Sequence, residues 1–155
     1  MEMPKATEHH RKLQALVGQW TGEEKFHPMP WSPDGGTATS RTNARLDLDG
    51  FFVVSDHEQK RDGKVSYRGH GIFGYDTQKQ KYTMHWFDVM GCDPGAPALG
   101  TWEGNTPILQ HQHHMGHGRF TYKFERDGMY TFKMEHSQDG KNWMPFMDGT
   151  YKRSS

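Results

Sequence analysis

The feature that most constrains this chain is an alternation of strand-like segments and tight-turn signals that continues from about residue 19 to about residue 153. The turn signals include the Asp-Gly pairs at Asp49-Gly50, Asp62-Gly63, Asp127-Gly128 and Asp139-Gly140. Asp-Gly favours two-residue hairpin turns because both residue types tolerate positive φ. The pattern therefore predicts consecutive strands that pair antiparallel with their neighbours.

About ten segments have this character. The predicted strands are residues 19–27, 38–47, 51–60, 64–74, 81–89, 98–104, 107–113, 118–126, 129–137 and 144–152. So many strands in a chain of 155 residues favour a sheet closed on itself, because closure removes the exposed edges of a long meander. We predict an all-β fold, a single antiparallel up-and-down barrel over about residues 19–153.

The segment before the strands has the pattern of a short amphipathic helix, over about residues 7–17. Thr7 is a capping residue type, and Leu13, Leu16 and Val17 share one helical face. Gly18 is suited to end the helix. We expect this helix to lead into the first strand of a single domain that occupies residues 1–155.

Composition limits the classes of partner. Aromatic residues make up 13% of the chain although hydrophobic residues are only 32%, so the core has to depend on rings. Lys+Arg and Asp+Glu are both 19, which provides no net field for nucleic acid or anionic lipid. No apolar run is long enough for a membrane helix, and residues 1–12 lack the apolar segment of a signal peptide. We predict a soluble protein, monomeric or homodimeric, without nucleic-acid or membrane partners.

Cys92 is the only cysteine, so the chain has no internal disulfide and no multi-cysteine metal site. This composition agrees with a reducing compartment, and we predict a cytoplasmic location. The neighbouring Asp93 disfavours the thiolate, which makes an inert free thiol the expected state of Cys92.

Five sequence motifs occur together in a fixed order. They are His10-x-x-Leu13-x-x-Leu16-x-Gly18-x-Trp20, Leu48-Asp49-Gly50-Phe51, Gly69-x-Gly71-x-x-Gly74-Tyr75-Asp76, Tyr82-x-x-x-Trp86-x-Asp88 and Gly149-Thr150-Tyr151-Lys152-Arg153. In this order and spacing they resemble the DUF1579 family, over about residues 8–153. The resemblance implies a calycin-like barrel of the lipocalin or fatty-acid-binding-protein type. It implies no reaction and no catalytic residues.

The helix followed by Gly18-x-Trp20 also resembles the opening of lipocalins. In such barrels the tryptophan closes one end beneath a cationic side chain from near the last strand, and Arg153 is placed to serve. We expect a structural cation–π contact between Trp20 and Arg153, of about 0.5–2 kcal/mol.

The expected binding region is the barrel interior, because a small barrel holds one small ligand and inward side chains alternate along each strand. The residues predicted to line it, as a mixed polar and aromatic wall, are Arg45, Asp56, His70, Trp86, Asp88 and Trp102. Trp86 and Asp88 share a face and precede the loop 91–97, so they are expected near one end of the barrel. An Asp beside rings is partly desolvated, which raises its pKa and suits it to acid–base chemistry.

Two alternative ligands, a metal ion and haem, would be held by histidines. The cluster His111, His113, His114 and His117 has imidazoles suited to zinc, nickel or copper, although the spacing matches no zinc motif and a solvated turn explains it equally. Haem is the other alternative, because other calycin-like barrels bind it through one histidine.

The glycines of Gly69-x-Gly71-x-x-Gly74 have the spacing of a dinucleotide-binding fingerprint. A strand follows them where that motif needs a helix, so we expect that these glycines instead allow close packing by rings.

The sequence thus favours a barrel that binds a small, partly apolar organic molecule, without a cofactor, beneath loops 28–36 and 91–97. An enzyme that uses Asp88 or His70 as acid or base in the same cavity is the alternative. A barrel filled by its own side chains, acting as an interaction protein, is the third hypothesis.

Overall fold

The computed structural model describes residues 1–126 and 128–154. The chain begins with a short helix α1 (Glu8–Lys12), continued by a 3₁₀ turn (Leu13–Leu16). The strands that follow are β1 (Gly18–Phe26), β2 (Gly36–Asp47), β3 (Phe52–Arg61), β4 (Lys64–Asp76), β5 (Lys81–Asp88), β6 (Ala98–Glu103), β7 (Thr106–His113), β8 (Gly116–Arg126), β9 (Met129–Ser137) and β10 (Met144–Arg153). A second 3₁₀ turn (Leu48–Gly50) connects β2 and β3.

Within the described residues these ten strands form one closed antiparallel barrel in which each strand pairs with its sequence neighbours. The pairing of β1 with β10, which places Trp20 opposite Arg153, completes the closure. The predicted all-β barrel with a short leading helix is confirmed, and each strand begins and ends within two residues of its predicted bounds.

The Asp-Gly pairs have different roles in the structure. Asp62-Gly63 forms the expected tight turn between β3 and β4, with φ of 52° and 76°. Asp49-Gly50 lies in the 3₁₀ turn, and Asp139-Gly140 lies in a longer loop where the Asp139 carboxyl accepts backbone N–H groups. The turn predicted at Asp127-Gly128 includes a residue that lies outside the described ones.

The N-terminal segment covers one end of the barrel, and its last turn narrows from the predicted α-helix to 3₁₀ geometry. Leu13 and Leu16 are buried in the core there. The indole N–H of Trp20 donates to the carbonyl of Leu16 at 2.9 Å, and Tyr82 donates its hydroxyl to the carbonyl of His9 at 2.7 Å. These bonds to the strands hold the segment in place. None of the helices in residues 1–126 and 128–154 has the length and apolar character needed to cross a membrane.

The glycines of β4 provide space for rings on the barrel wall. A Cβ at Gly69 would lie 2.5 Å from the indole of Trp86, and one at Gly71 would lie 3.0 Å from that indole and from Phe73. A larger residue at Gly69 would displace Trp86, and one at Gly71 would press on Trp86 and Phe73. The packing interpretation of Gly69 and Gly71 is confirmed, and β5 follows them rather than a helix.

Candidate functional site

The barrel contains a cavity of about 530 Å³ that extends from Leu16, in the N-terminal segment, to the opposite rim. Because strand side chains alternate, every second residue of each strand faces this space. Much of the lining is aromatic or thioether, from Phe26, Phe73, Met84, Trp86, Phe120, Tyr122, Tyr130, Phe132, Met134, Phe146 and Met147. Rings and flexible Met side chains make an apolar surface that adapts to an organic ligand.

A first polar group in this lining is centred on Glu24 of β1, whose side chain is 0% exposed. The amide of Gln59 donates to Glu24 Oε1 at 2.9 Å, and the hydroxyl of Tyr151 donates to Oε2. His57 Nε2 lies 3.7 Å from the same Oε2 atom. Residues from β3 and β10 therefore surround one buried carboxyl group from β1.

Burial determines the protonation states of the side chains around Glu24. Desolvation lowers the pKa of His57 below its usual 6.5, against the opposing effect of Glu24, so the ring is neutral at pH 7. Its Nδ1 lies 2.9 Å from the hydroxyl of Thr42, so both ring nitrogens face polar groups of the protein. Burial, followed by the nearby Glu24 carboxyl, raises the pKa of Tyr151 far above its usual range and keeps the phenol protonated.

A second polar group lies on the β4–β5 wall and ends at Asp88. The indole N–H of Trp86 donates to the hydroxyl oxygen of Tyr67 at 2.6 Å, and that hydroxyl donates to Asp88 Oδ2 at 2.7 Å. The backbone N–H of Met90 donates to Asp88 Oδ1 at 3.0 Å. Burial and the bond to Asp88 raise the pKa of Tyr67 well above its usual range, so the phenol remains a donor.

The barrel wall next to Asp88 is made by a loop. β5 pairs with β6 only from Tyr82 to Met84, although β5 continues to Asp88. The segment 89–97 connects β5 to β6 at this unpaired part of β5, and its residues Pro94 and Ala96 line the cavity. Asp88 and Trp86 therefore stand where strand pairing is interrupted.

Loop 28–36 lies against the rim opposite the helix. Its Trp31 stacks on Phe146, with ring centroids 5.9 Å apart, and Phe146 in turn meets the edge of Phe26. Met29 of the same loop is buried. Phe26 and Phe146 also line the cavity, so this loop contacts the cavity through its lining.

The structure corrects three of the predicted lining residues. Arg45, Asp56 and His70 point outward, with side chains that are 55%, 45% and 65% exposed. They associate on the outer surface, where Asp56 lies 2.6 Å from His70 and 3.5 Å from Arg45. The prediction failed because it assigned the wrong set of alternate residues in β2, β3 and β4 to the interior. The residues that face inward there include Ala44, Ser55 and Gly71.

Of the other predicted residues, Trp86 and Asp88 do line the cavity. Trp102 packs near the helix-covered end, stacked on Phe124 with centroids 5.7 Å apart and tilted against Tyr82, so it does not line the large cavity. Arg153 lies 4.6 Å from the ring centroid of Trp20, which is the geometry of the expected cation–π contact.

The histidine cluster lies at the rim. His111 and His113 line the cavity and stack with centroids 5.6 Å apart. Within residues 1–126 and 128–154, no three His, Cys, Asp or Glu side chains are grouped closely enough to hold a metal ion. The positions of the imidazoles thus give the metal alternative no geometric support. The haem alternative gains none from His57, because both of its ring nitrogens already face Thr42 or Glu24.

Sequence reasoning missed Glu24, His57, Gln59, Tyr67 and Tyr151. A signal for one of them existed: counting by two from Trp20, an interior residue, reaches Gly22 and then Glu24. The others depend on register between strands, which one strand's alternation does not disclose.

Comparison with known proteins agrees with the architecture. The model of the family described as "Protein of unknown function (DUF1579)" matches residues 5–153, which confirms the resemblance drawn from the motifs. A guanine nucleotide-binding protein negative regulator 1 from Schizosaccharomyces pombe is 31% identical over 68 residues, which is 44% of this chain and 17% of that protein. The chain thus spans less than a fifth of that relative's length.

Two solved structures have the same fold. Rv2717c from M. tuberculosis superposes with a TM-score of 0.73 at 11% identity, over 97% of this chain and 100% of that one. An S-type phycobiliprotein lyase, CPES from Guillardia theta, superposes with a TM-score of 0.71 at 10% identity, over 96% of this chain and 94% of that one. At such identities the likeness concerns the fold.

Proposed function

We propose that this chain, which belongs to the DUF1579 family of unknown function, binds a small, partly apolar organic molecule inside its barrel. The observation that carries the proposal is the cavity of about 530 Å³. Small-molecule sites have volumes of about 300–1,000 Å³, apolar walls and a few polar groups that orient the ligand. The aromatic lining and the groups around Glu24 and Asp88 have this composition.

The two loops beside the cavity are proposed to control access to it. Loop 91–97 replaces strand pairing beside Asp88 and contributes Pro94 and Ala96 to the lining. Loop 28–36 contacts the rim through the stacking of Trp31 on Phe146. Residues 28–35 and 91–97 lie outside the ten strands, so their movement would open the cavity while the barrel wall stays intact during exchange of the ligand.

The enzyme alternative loses one of its two candidate residues. His70 lies on the outer surface, so it cannot act as acid or base inside the cavity. Asp88 does line the cavity, where Tyr67 and Met90 donate hydrogen bonds to its carboxyl group, but the second residue proposed for acid–base chemistry is not there to act with it. Binding requires no further residue, and we retain it as the function that the geometry supports best.

The direct test is binding of the neutral apolar fluorophore N-phenyl-1-naphthylamine to untagged protein, with native mass spectrometry to detect any retained ligand. We expect saturable binding at one site per chain. Met134→Trp puts a large ring into the lining and should weaken binding about tenfold or more. Met144→Trp is the matched control, because Met144 is exposed and does not line the cavity.

Two results would contradict the proposal. One is the absence of saturable probe binding in protein from which mass spectrometry detects no retained ligand. The other is equal weakening by the two Met→Trp variants at unchanged thermal stability, since only Met134 lies on the cavity.

A further inference from the structure

We propose that the ligand carries a basic, hydrogen-bond-donating group, such as a primary amine, and that Asp88 receives this group while the apolar walls enclose the rest of the molecule. The inference rests on the proposed function, because it assigns the chemistry of the ligand at the same cavity. Three observations carry it: the charges of the lining residues, the hydrogen bonds beside Asp88 and the accessibility of the Asp88 carboxyl group.

The charged groups in the lining favour a cation over an anion. Among the described residues that line the cavity are the carboxyl groups of Glu24 and Asp88, and none of these lining residues is Lys or Arg. Burial lowers the pKa of His57 and of His113, so neither imidazole supplies a stable positive charge at pH 7. A carboxylate, phosphate or sulfate ligand would be buried without a cationic partner, which is costly.

The hydrogen bonds beside Asp88 end on an acceptor rather than on a donor. The single N–H of Trp86 goes to Tyr67, and the single O–H of Tyr67 goes to Asp88, where the sequence of donors ends at a carboxyl group. On the β1–β10 wall, the O–H of Tyr151 is likewise used by Glu24. A ligand that enters the cavity therefore finds free carboxyl lone pairs at Asp88, and a donor on the ligand satisfies them.

Asp88 is the accessible one of the two carboxyl groups. Glu24 has a side chain that is 0% exposed, behind Gln59 and Tyr151, whereas Asp88 is only partly buried and lies where β5 no longer pairs with β6. The hydroxyl of Tyr67 is hydrogen-bonded to Asp88, and Trp86 is hydrogen-bonded to that hydroxyl in turn, so both side chains hold the carboxyl group in place. An ammonium group would thus meet a carboxyl group whose position is already fixed.

The test compares decylamine, decanol and decanoate as competitors of N-phenyl-1-naphthylamine at pH 7. The three share one apolar chain and differ only in a basic, neutral or acidic polar group. We expect decylamine to bind about tenfold or more tighter than decanoate, with decanol between them. The protein has a formal net charge of 0, so long-range attraction does not favour either charged competitor.

Asp88→Asn keeps the size of the side chain and removes its charge. It should weaken decylamine about tenfold and change decanol little. Asp56→Asn is the matched control on the outer surface, where the carboxyl pairs with His70 outside the cavity, and it should leave all three affinities unchanged.

The inference is overturned if wild-type protein binds the probe but binds decanoate as tightly as decylamine. It is also overturned if Asp88→Asn weakens decanol as much as decylamine. The ranking on wild-type protein decides the matter even where the Asp88 variant does not fold. Failure of the probe itself to bind would contradict the proposed function, which keeps the two failures distinct.

Discussion

Replacing Tyr151 by Phe is predicted to destabilise the barrel by removing one buried hydrogen bond. The Tyr151 ring is 3% exposed and stacks on Tyr130 with centroids 4.8 Å apart, and its hydroxyl donates to Glu24. Phe keeps the stacking and the volume of the ring. The change therefore isolates the hydroxyl, whose loss removes a hydrogen bond from Glu24 Oε2, while His57 Nε2 stays 3.7 Å from that atom, beyond hydrogen-bond distance.

The expected cost follows from that acceptor. Leaving a buried acceptor unsatisfied costs about 1–3 kcal/mol, and more where the group is charged. In a domain of this size 1 kcal/mol lowers the midpoint of thermal unfolding by about 2–4 °C. We therefore expect Tyr151→Phe to lower the free energy of unfolding by about 1–3 kcal/mol and the midpoint by about 2–12 °C.

Urea unfolding followed by tryptophan fluorescence measures this difference, and Tyr122→Phe is the matched control. Tyr122 is also buried and lines the same cavity, but its hydroxyl donates to the sulfur of Met84, at 3.8 Å, and to no other atom of the residues that the structure describes. Sulfur is a weak acceptor, so the control should cost less than about 1 kcal/mol. Equal costs for the two variants would refute the argument that the bond to Glu24 stabilises the fold.

Two further predictions concern the barrel ends and alkaline pH. Trp20→Ala should cost about 3–5 kcal/mol in urea unfolding, because Trp20 is buried beneath Arg153, while the variant that remains folded should keep its affinity for the probe. Lost probe binding at unchanged stability would contradict a structural role for Trp20. Burial raises the pKa of Tyr122 and Tyr130 above the usual 10, so the unfolded chain releases these protons first and stability should fall as pH rises above 10. The free energy of unfolding measured between pH 8 and pH 12 should decline less steeply in Tyr122→Phe than in wild-type protein, and an unchanged slope would contradict this assignment.

The strands were predictable because barrel pairing of this kind is local. Each strand pairs with its neighbours in sequence, so the alternation and the turn residues that bound a strand also specify its partners. Asp62-Gly63 fixes one hairpin by itself, since both residues have positive φ. Among the strand pairs of the described residues, the closure of β1 on β10 joins distant segments, and there the lipocalin resemblance predicted the contact of Trp20 with Arg153, which the structure places opposite each other.

The interior residues were harder to predict because one residue of error reverses every side chain of a strand. Asp56 was assigned to the interior, whereas its neighbour His57 lies there beside Glu24. Both faces of β3 carry polar side chains, so composition does not distinguish them. A residue known to be buried, such as Trp20, determines which alternate residues of β1 face inward. The pairing of β1 with β2 and of β2 with β3 then determines the inward residues of those strands as well.

The β4–β5 hairpin shows how the same residues serve the fold and the candidate site. Its register places Gly69 opposite Asp88, so Tyr67, two residues before Gly69 along β4, shares the inner face with Asp88. The missing side chain of Gly69 leaves room for the Trp86 indole, which then reaches the Tyr67 hydroxyl and directs that hydroxyl's own proton to Asp88. A side chain at Gly69 would therefore disturb the packing of the wall and the orientation of the Asp88 acceptor together, so packing alone does not account for the need for glycine at this position.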